Sequence, residues 1–180
     1  MNSRYSPVEG RRGAYRRDAV PCAQMVTIRE ATIADTPEIA RVHQSSARGL
    51  GPTHYTLEEI ETWVGSITPE RYFHSIAEQY VVVAVEQGEI VGWGQLNAEK
   101  SEIVAVYVTP ARAGAGVGRS LLTHLEEVAS NLGCRTLSLW SSLNAVRFHQ
   151  RYGYRVTERS VDKLSDDEIP AVRMVKTTIT

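Results

Sequence analysis

The stretch EIVAVYVTPARAGAGVGR, residues 102–119, decides the fold. An apolar strand pattern passes through Pro110 into a loop with glycine at positions 114, 116 and 118, and the loop opens directly onto an amphipathic helical pattern. Glycine lets the backbone take positive φ and lie close to a ligand. Free amides and the positive end of the helix dipole then favour an anion. Taken alone, the stretch fits a phosphate cradle or an ordinary strand–helix connection.

Two well-known nucleotide-binding fingerprints do not fit this loop. A P-loop requires Gly-Lys-Ser/Thr, which the loop lacks. A Rossmann fingerprint requires an acidic residue about twenty residues further on, after a second parallel strand. Here that distance falls near Gly133, where the helical pattern ends. The loop therefore matches neither fingerprint.

Around this stretch the chain alternates strand and helix patterns, which predicts a mixed α/β fold with the glycine loop at the C-terminal end of a central strand. Gln87, Gly88 and Glu89 indicate a hairpin turn. Strand patterns cover residues 26–29, 80–86, 90–98, 103–108, 136–140, 154–160 and 171–177. Helical patterns start near Asp35 and cover residues 57–64, 69–77, 117–132 and 144–151. The short helical patterns between residues 57 and 77 predict a flap that shapes a pocket.

Residues 1–24 differ in composition from the rest of the chain. They contain five arginines, scattered glycine and proline, and no apolar periodicity. This composition predicts a disordered basic extension, followed by one domain over residues 25–180. Glu9 and Asp18 argue against an organelle transit peptide, and an overextended start, with Met25 as the natural beginning, is an alternative.

Composition and charge exclude several classes of function. The formal net charge of −1 shows no excess of basic residues that would bind nucleic acid or an anionic membrane. The apolar runs are too short to span a bilayer. Cys22 and Cys134 lie far apart, which indicates neither a disulfide framework nor a thiolate metal site. The histidines show no metal-ligand spacing. We therefore expect a cytoplasmic protein without a metal, a nucleic-acid partner or a membrane partner.

Two motifs in register carry a resemblance to a known family, the GCN5-related N-acetyltransferases (GNAT). VTPARAGAGVG supplies Val108, Pro110, Gly116 and Gly118 of the family pattern V-x-P-x-x-[QR]-x-x-G-x-G. Downstream, the pattern A-x-x-[FL]-Y-x-x-x-G-[FY] is matched at positions 145, 148, 153 and 154. The resemblance extends over residues 26–176. It implies a GNAT-like acyl-CoA N-acyltransferase fold with splayed central strands, and transfer of an acetyl group from acetyl-CoA to an amine.

By the same resemblance, acetyl-CoA would lie along the central strand and end in the glycine loop. The main chain of residues 106–108 would pair with the pantetheine arm like an added strand, so we expect the sheet to splay open there. The amides of residues 113–119 would hold the pyrophosphate. The cofactor-binding residues so implied are Val106, Tyr107, Val108, Ala113, Gly114, Ala115, Gly116, Val117, Gly118 and Arg119.

The chain departs from the family pattern at two positions. Ala113 stands where glutamine or arginine usually opens the loop; Arg112 and Arg119 are candidates to supply the missing charge, and the alternative is that both are solvated surface residues. His149 replaces the tyrosine that commonly protonates the departing CoA thiolate. An imidazolium near neutral pH is a competent acid, and the alternative is a histidine that only packs at the helix face.

The resemblance also implies a base and an acceptor pocket. Glu102 occupies the position of the catalytic glutamate in a histone-acetylating subgroup of the family. In that role it would take a proton from an ammonium substrate. The alternative is an exposed carboxylate at a strand edge. Ser142 and Asn144 would reach the cofactor or cap a helix. Candidates for the acceptor pocket, which could equally be aromatic core residues, are Tyr55, Trp93, His54 and Trp63.

The sequence thus predicts an N-acetyltransferase that acetylates a primary amine by direct attack in a ternary complex. One alternative is a catalytically inactive acyl-CoA-binding module, since the usual tyrosine and loop side chain are missing. Another is a regulatory or interaction domain that acts through the basic extension. The acceptor, a small-molecule or peptide amine, cannot be chosen because this architecture hosts many acceptors. The final strands present an edge that could pair in a homodimer.

Overall fold

The computed structural model describes residues 26–160 and 169–177, and within them seven strands form one mixed sheet flanked by helices. The predicted extension, residues 1–24, lies outside the described residues. The strands are β1 (Thr27–Glu30), β2 (Tyr80–Glu86), β3 (Glu89–Asn97), β4 (Glu102–Val108), β5 (Thr136–Ser142), β6 (Arg155–Ser160) and β7 (Ala171–Thr177). The helices are α1 (Thr36–Leu50), α2 (Leu57–Gly65), α3 (Phe73–Glu78), α4 (Val117–Asn131) and α5 (Val146–Arg151). None of the described helices is long and apolar enough to cross a membrane.

The sheet order β1-β2-β3-β4-β5-β7-β6 makes β4 the central strand, with the glycine loop at its C-terminal end. Strands β3 and β4 are antiparallel and pair from Gly92↔Val108 to Asn97↔Glu102. Strands β4 and β5 are parallel and, over the described length of both, pair only at Glu102↔Ser138. Beyond that pair they diverge, so the predicted splay is confirmed. The C-terminal half of β4 therefore has a strand edge inside the sheet.

A bulge in β4 changes which side chains share a face of the sheet. The register shifts between Gln95 and Leu96, which leaves Val104 of β4 as an extra residue. Strict alternation would place Glu102 and Tyr107 on opposite faces. Because of the extra residue, both lie on the same face.

Two clusters of buried side chains cover the two faces of the sheet. On one, called the α1 face, Ile39 of α1 and Trp63 of α2 pack in the cluster that contains Trp93 of β3. On the other, called the α4 face, Leu121 and Leu125 of α4 pack in the cluster that contains the leucines of β5. The helical spacing of the α4 leucines is the reason that one side of this helix is buried.

Helix α4 lies close to β3 because two positions of that strand are glycine. A Cβ at Gly94 would lie 2.9 Å from Cδ1 of Leu125, and a Cβ at Gly92 would lie 3.0 Å from Cδ1 of Leu121. Real Cβ atoms almost never come so close to another carbon, so these positions exclude larger residues without repacking. The close approach holds the first turn of α4 beside the end of β4.

Candidate active site

The loop after β4 forms a cradle, residues 113–119, in which several main-chain amides are free. Gly114 and Gly116 have φ of 81° and 91°, in the left-handed region that glycine adopts without strain. Gly116 immediately precedes α4, and the first amides of a helix have no partner within it. Among the described residues, no hydrogen bond is made by the amides of Gly114, Gly116, Val117, Gly118 and Arg119. Five donors near a helix N-terminus form a site for an anion.

Two amides of the cradle are engaged in the turns of the loop itself. The Ala113 N–H donates to the Pro110 carbonyl at 3.2 Å, and the Ala115 N–H donates to the Arg112 carbonyl at 3.1 Å. The expectation that all amides of residues 113–119 are available to an anion is therefore wrong at Ala113 and Ala115. These two hydrogen bonds belong to the turns of the loop and leave the other amides of the cradle without a partner in the described part of the chain.

The cradle opens into a cavity of about 470 Å³ whose opposite wall belongs to α1, α2 and the loop between them. On the cradle side the lining residues are Val106, Tyr107, Val108, Arg112, Ala113, Gly114, Gly116, Gly118, Arg119, Ser142, Asn144, Ala145, Phe148, Arg151 and Tyr152. On the opposite side they are Ser46, Leu50, Thr53, His54 and Trp63. One cavity thus connects the predicted cofactor loop with the predicted flap.

Three arginines line this cavity, and their charges are not equally available. Arg112 forms an ion pair with Glu86, whose side chain is only 8% exposed. Arg119 and Arg151 line the cavity and have no ion pair within the described residues. The positive charge at the cradle therefore comes from Arg119 and Arg151 rather than from Arg112. Sequence reasoning missed Arg151, because only the tertiary structure brings the last turn of α5 beside the cradle.

A narrow slot lies between the diverging strands β4 and β5. It has a volume of about 30 Å³ and is lined by residues 103–107 of β4, residues 139–142 of β5, Ala145 and His149. Val106, Tyr107 and Ser142 line both the slot and the larger cavity, so the two are continuous. A slot beside an unpaired strand edge suits an extended ligand that pairs with the main chain of the strand.

His149 lies in the wall of the slot and is 7% exposed. Its ring packs edge-on against Phe148 and Tyr154, and its Nδ1 atom is buried with no hydrogen-bond partner among the described residues. Burial lowers the pKa of His149 to about 4, because the apolar surroundings disfavour the charged form. Burial therefore favours a neutral imidazole at neutral pH over the imidazolium considered as the acid.

The other predicted residues of the cofactor side lie around the slot. Glu102 is half-buried at the closed end, immediately before the first slot-lining residue, Ile103. Ser142 and Asn144 make no side-chain capping bond, so the capping alternative does not account for them. The Oδ1 atom of Asn144, a residue that lines the cavity, is buried without a hydrogen-bond partner in the described part of the chain. Such an atom is an acceptor for a ligand N–H.

The four predicted acceptor-pocket residues divide into two pairs. His54 and Trp63 line the cavity. Trp93 is 2% exposed, stacks on Tyr107 with ring centroids 5.4 Å apart, and does not line the cavity. Tyr55 is also buried and outside the lining. Tyr55 and Trp93 thus lie in the buried core behind the cavity wall, as the aromatic-core alternative describes.

The hydroxyl of Tyr55 joins three segments around the cavity. It donates to the Pro170 carbonyl at 2.8 Å and accepts from the Leu143 N–H at 2.8 Å. Burial raises the pKa of Tyr55 to about 12. The loop before α2 is thus bonded to the end of β5 and to the segment before β7.

Tyr55→Phe is expected to lower the free energy of unfolding by about 1–3 kcal/mol, because it leaves the Leu143 N–H and the Pro170 carbonyl without partners. Urea denaturation measures the effect. The matched control is Tyr80→Phe, whose hydroxyl bonds the half-buried His124 at 3.0 Å. Equal losses in the two variants would contradict the special role of Tyr55.

The splayed mixed sheet and the main-chain anion cradle agree with the GNAT fold that the two motifs resemble. The chain belongs to the GNAT acetyltransferase family: the family model described as an acetyltransferase (GNAT) domain matches residues 52–178. The family membership that the motifs suggested is thereby confirmed.

Particular relatives support the same assignment. The curated protein named "Uncharacterized N-acetyltransferase YuaI", from Bacillus subtilis (strain 168), is 28% identical over 165 residues, which are 83% of this chain and 89% of that protein. A GCN5-related N-acetyltransferase from Rhodopseudomonas palustris superposes with a TM-score of 0.78 at 25% identity, over 84% of this chain and 95% of that one. The PaiA N-acetyltransferase from Thermoplasma acidophilum, solved in complex with coenzyme A, shares the fold with a TM-score of 0.70 at 20% identity, over 85% of this chain and 99% of that one.

Proposed function

We propose that this protein transfers an acetyl group from acetyl-CoA to a primary amine, by direct attack of the amine on the thioester in a ternary complex. The observation that carries the proposal is the continuity of the slot, the cradle and the cavity. A thioester in the slot and an amine in the cavity would meet without any movement of the sheet. Family membership and the coenzyme A complex of the PaiA structure favour acetyl-CoA as the donor.

In this proposal the main chain does most of the cofactor binding. The free amides of Gly114, Gly116 and residues 117–119 hold the pyrophosphate, and Arg119 and Arg151 add charge. The pantetheine arm lies along residues 106–108 of β4, from the cavity at Val108 into the slot at Val106 and Tyr107, with Ser142 on the other side. The buried Oδ1 atom of Asn144 accepts from an amide N–H of the arm. No step requires a metal.

The chemistry needs a base for the amine and a proton for the sulfur. The neutral amine nitrogen attacks the thioester carbon, the carbon–sulfur bond breaks, and the departing CoA thiolate takes up the proton that the acylated nitrogen loses. Glu102 accepts the ammonium proton through a water molecule, because it lies just outside the slot on the face shared with Tyr107. His149 is neutral, so its part is to donate a hydrogen bond to the departing sulfur rather than to carry a positive charge there.

The test is release of free CoA thiol when the protein is mixed with acetyl-CoA and a panel of primary amines. Cys134→Ala is expected to keep the full rate, because direct transfer uses no cysteine; Cys134 is half-buried and its Sγ lies 3.6 Å from the Ala98 carbonyl. Glu102→Gln is expected to lower kcat at unchanged KM for acetyl-CoA. An acetylated Cys134 would contradict direct attack. Binding of acetyl-CoA with no thiol release would leave only a CoA-binding module.

A further inference from the structure

An arginine on β7 stands beside the slot and stacks on an aromatic ring. The guanidinium carbon of Arg173 lies 5.6 Å from the centroid of the Trp140 ring. Trp140 of β5 lines the slot, and it is directly opposite Arg173 in the register of the two strands. Both side chains are half-buried. The guanidinium is therefore held next to the wall of the slot.

Arg173 lies on the face of the sheet where an acceptor would approach. Trp140 packs against the buried cluster of the α1 face, which also contains Trp93 and contacts Tyr107. Because directly opposed residues share a face, Arg173 lies on the α1 face too. One interstrand spacing of about 5 Å separates β7 from the slot-lining strand β5. An acceptor of amino-acid size could therefore place its nitrogen at the slot and reach Arg173.

The charge of Arg173 is not used by any ion pair within the described residues. Glu158 of β6 lies opposite Arg173 in the register on its other side, but the two form no ion pair, and the guanidinium lies over Trp140 instead. An arginine stacked on an aromatic ring keeps its edge free for a bidentate contact with an anion. Arg173 itself is not among the residues that line the slot or the cavity, but this arrangement holds a cation behind Trp140, one strand away from the slot.

The residues that line the cavity and the slot also favour an acceptor with an anionic group over a polycationic one. Among the described residues that line the slot and the cavity there is no aspartate or glutamate, so no carboxylate of the wall would attract a polycationic amine or repel an anionic group. A polycationic amine needs several carboxylates around it, and an amine with an anionic group needs a cation.

We infer that the acceptor is a compact amine that also carries an anionic group, a carboxylate or a phosphate, and that Arg173 binds this group. The inference deepens the proposed function and rests on it for the identity of the reacting nitrogen. Trp140 fixes the guanidinium, and the acceptor nitrogen lies at the slot within reach of Glu102 through water. Arg173 is thus a residue that determines acceptor specificity.

Direct binding tests this inference separately from turnover. Matched pairs of amines are titrated calorimetrically into the protein saturated with CoA: β-alanine against β-alaninamide, and 2-aminoethyl phosphate against ethanolamine. The wild type is expected to bind at least one anionic member about tenfold to a hundredfold more tightly than its neutral counterpart, as a charge-assisted contact provides. The pair that shows the preference distinguishes a carboxylate from a phosphate.

Arg173→Met is expected to abolish the preference, with the neutral amine and acetyl-CoA bound as before, and Arg173→Lys is expected to keep part of it. The control is Arg159→Met, an exposed arginine opposite Val172 of the buried α4-face cluster, which should leave the preference intact. Equal binding of the two members of each pair by the wild type, no binding of any amine, or a preference that survives Arg173→Met would overturn the inference. Absence of thiol release with the binding preference present would instead count against the proposed transfer reaction alone.

Discussion

Gly118→Glu is expected to weaken binding of acetyl-CoA at least a hundredfold, or about 3 kcal/mol. Gly118 lines the cavity in the first turn of α4, and a Cβ there would lie 3.5 Å from Phe148 and Val108, an ordinary contact distance. Its φ is not positive, so a side chain causes no backbone strain. A carboxylate in the first turn is also favourable for the helix itself. The variant should therefore fold, with a negative charge at the place proposed for the pyrophosphate.

Calorimetric titration with acetyl-CoA measures this effect, and two variants separate charge from size. Gly118→Ala is expected to bind nearly as the wild type does. Gly118→Gln has the shape of the glutamate without its charge, so its loss should be clearly smaller. Equal losses for glutamine and glutamate would show that the cavity at Gly118 is merely filled. Full binding by Gly118→Glu would contradict the position of the anion site.

His149→Gln is expected to make the stability of the protein less sensitive to acid. The unfolded imidazole binds a proton below its ordinary pKa of 6.5, whereas the folded one does so only near pH 4. Between these two values the unfolded state holds the extra proton, so wild-type stability falls as the pH is lowered. Over the whole window the loss due to His149 is about 3 kcal/mol. The variant should lack this loss.

Urea denaturation of both proteins at pH 7, 5.5 and 4.5 tests the expectation, because the difference between them removes the contribution of the other histidines. His74→Gln is the matched control, because it makes the same substitution at an exposed histidine of α3. If the wild type and His149→Gln lose equal stability as the pH is lowered, burial does not keep the imidazole neutral in the folded protein. The charged imidazolium is then again a candidate for the acid.

The order of elements and the place of the cradle could be predicted because they follow from local patterns. An apolar strand, a proline, a glycine loop and a helical repeat each report on a few neighbouring residues, and residues 102–132 contain all four. The splay was expected from the family resemblance and not from any pattern in the strand. It depends on how two distant strands meet, which a single strand sequence does not encode.

The details of the site that could not be predicted are those set by pairing between distant segments. The extra residue Val104 moves Glu102 to the α1 face, and only the register with β3 reveals it. Arg151 joins the cavity through the packing of α5 beside the cradle. Tyr55 is an aromatic residue with a polar group, which is typical of binding pockets. Its hydroxyl nevertheless forms hydrogen bonds with two main-chain groups that lie far along the chain. Its pKa is raised by burial and not by that bonding, because the bond from the Leu143 N–H acts to lower it.

The divergence of β4 from β5 has a consequence for encounters with other proteins. An edge strand offers its main chain to any extended segment and is an aggregation hazard when it lies at the surface. The edge of β4 lies instead between neighbouring strands, in a slot of about 30 Å³ that α5 and β5 close on one side. The fold thus places the unpaired edge of β4 in the interior of the sheet, away from the outer edges at which strands of other molecules would pair.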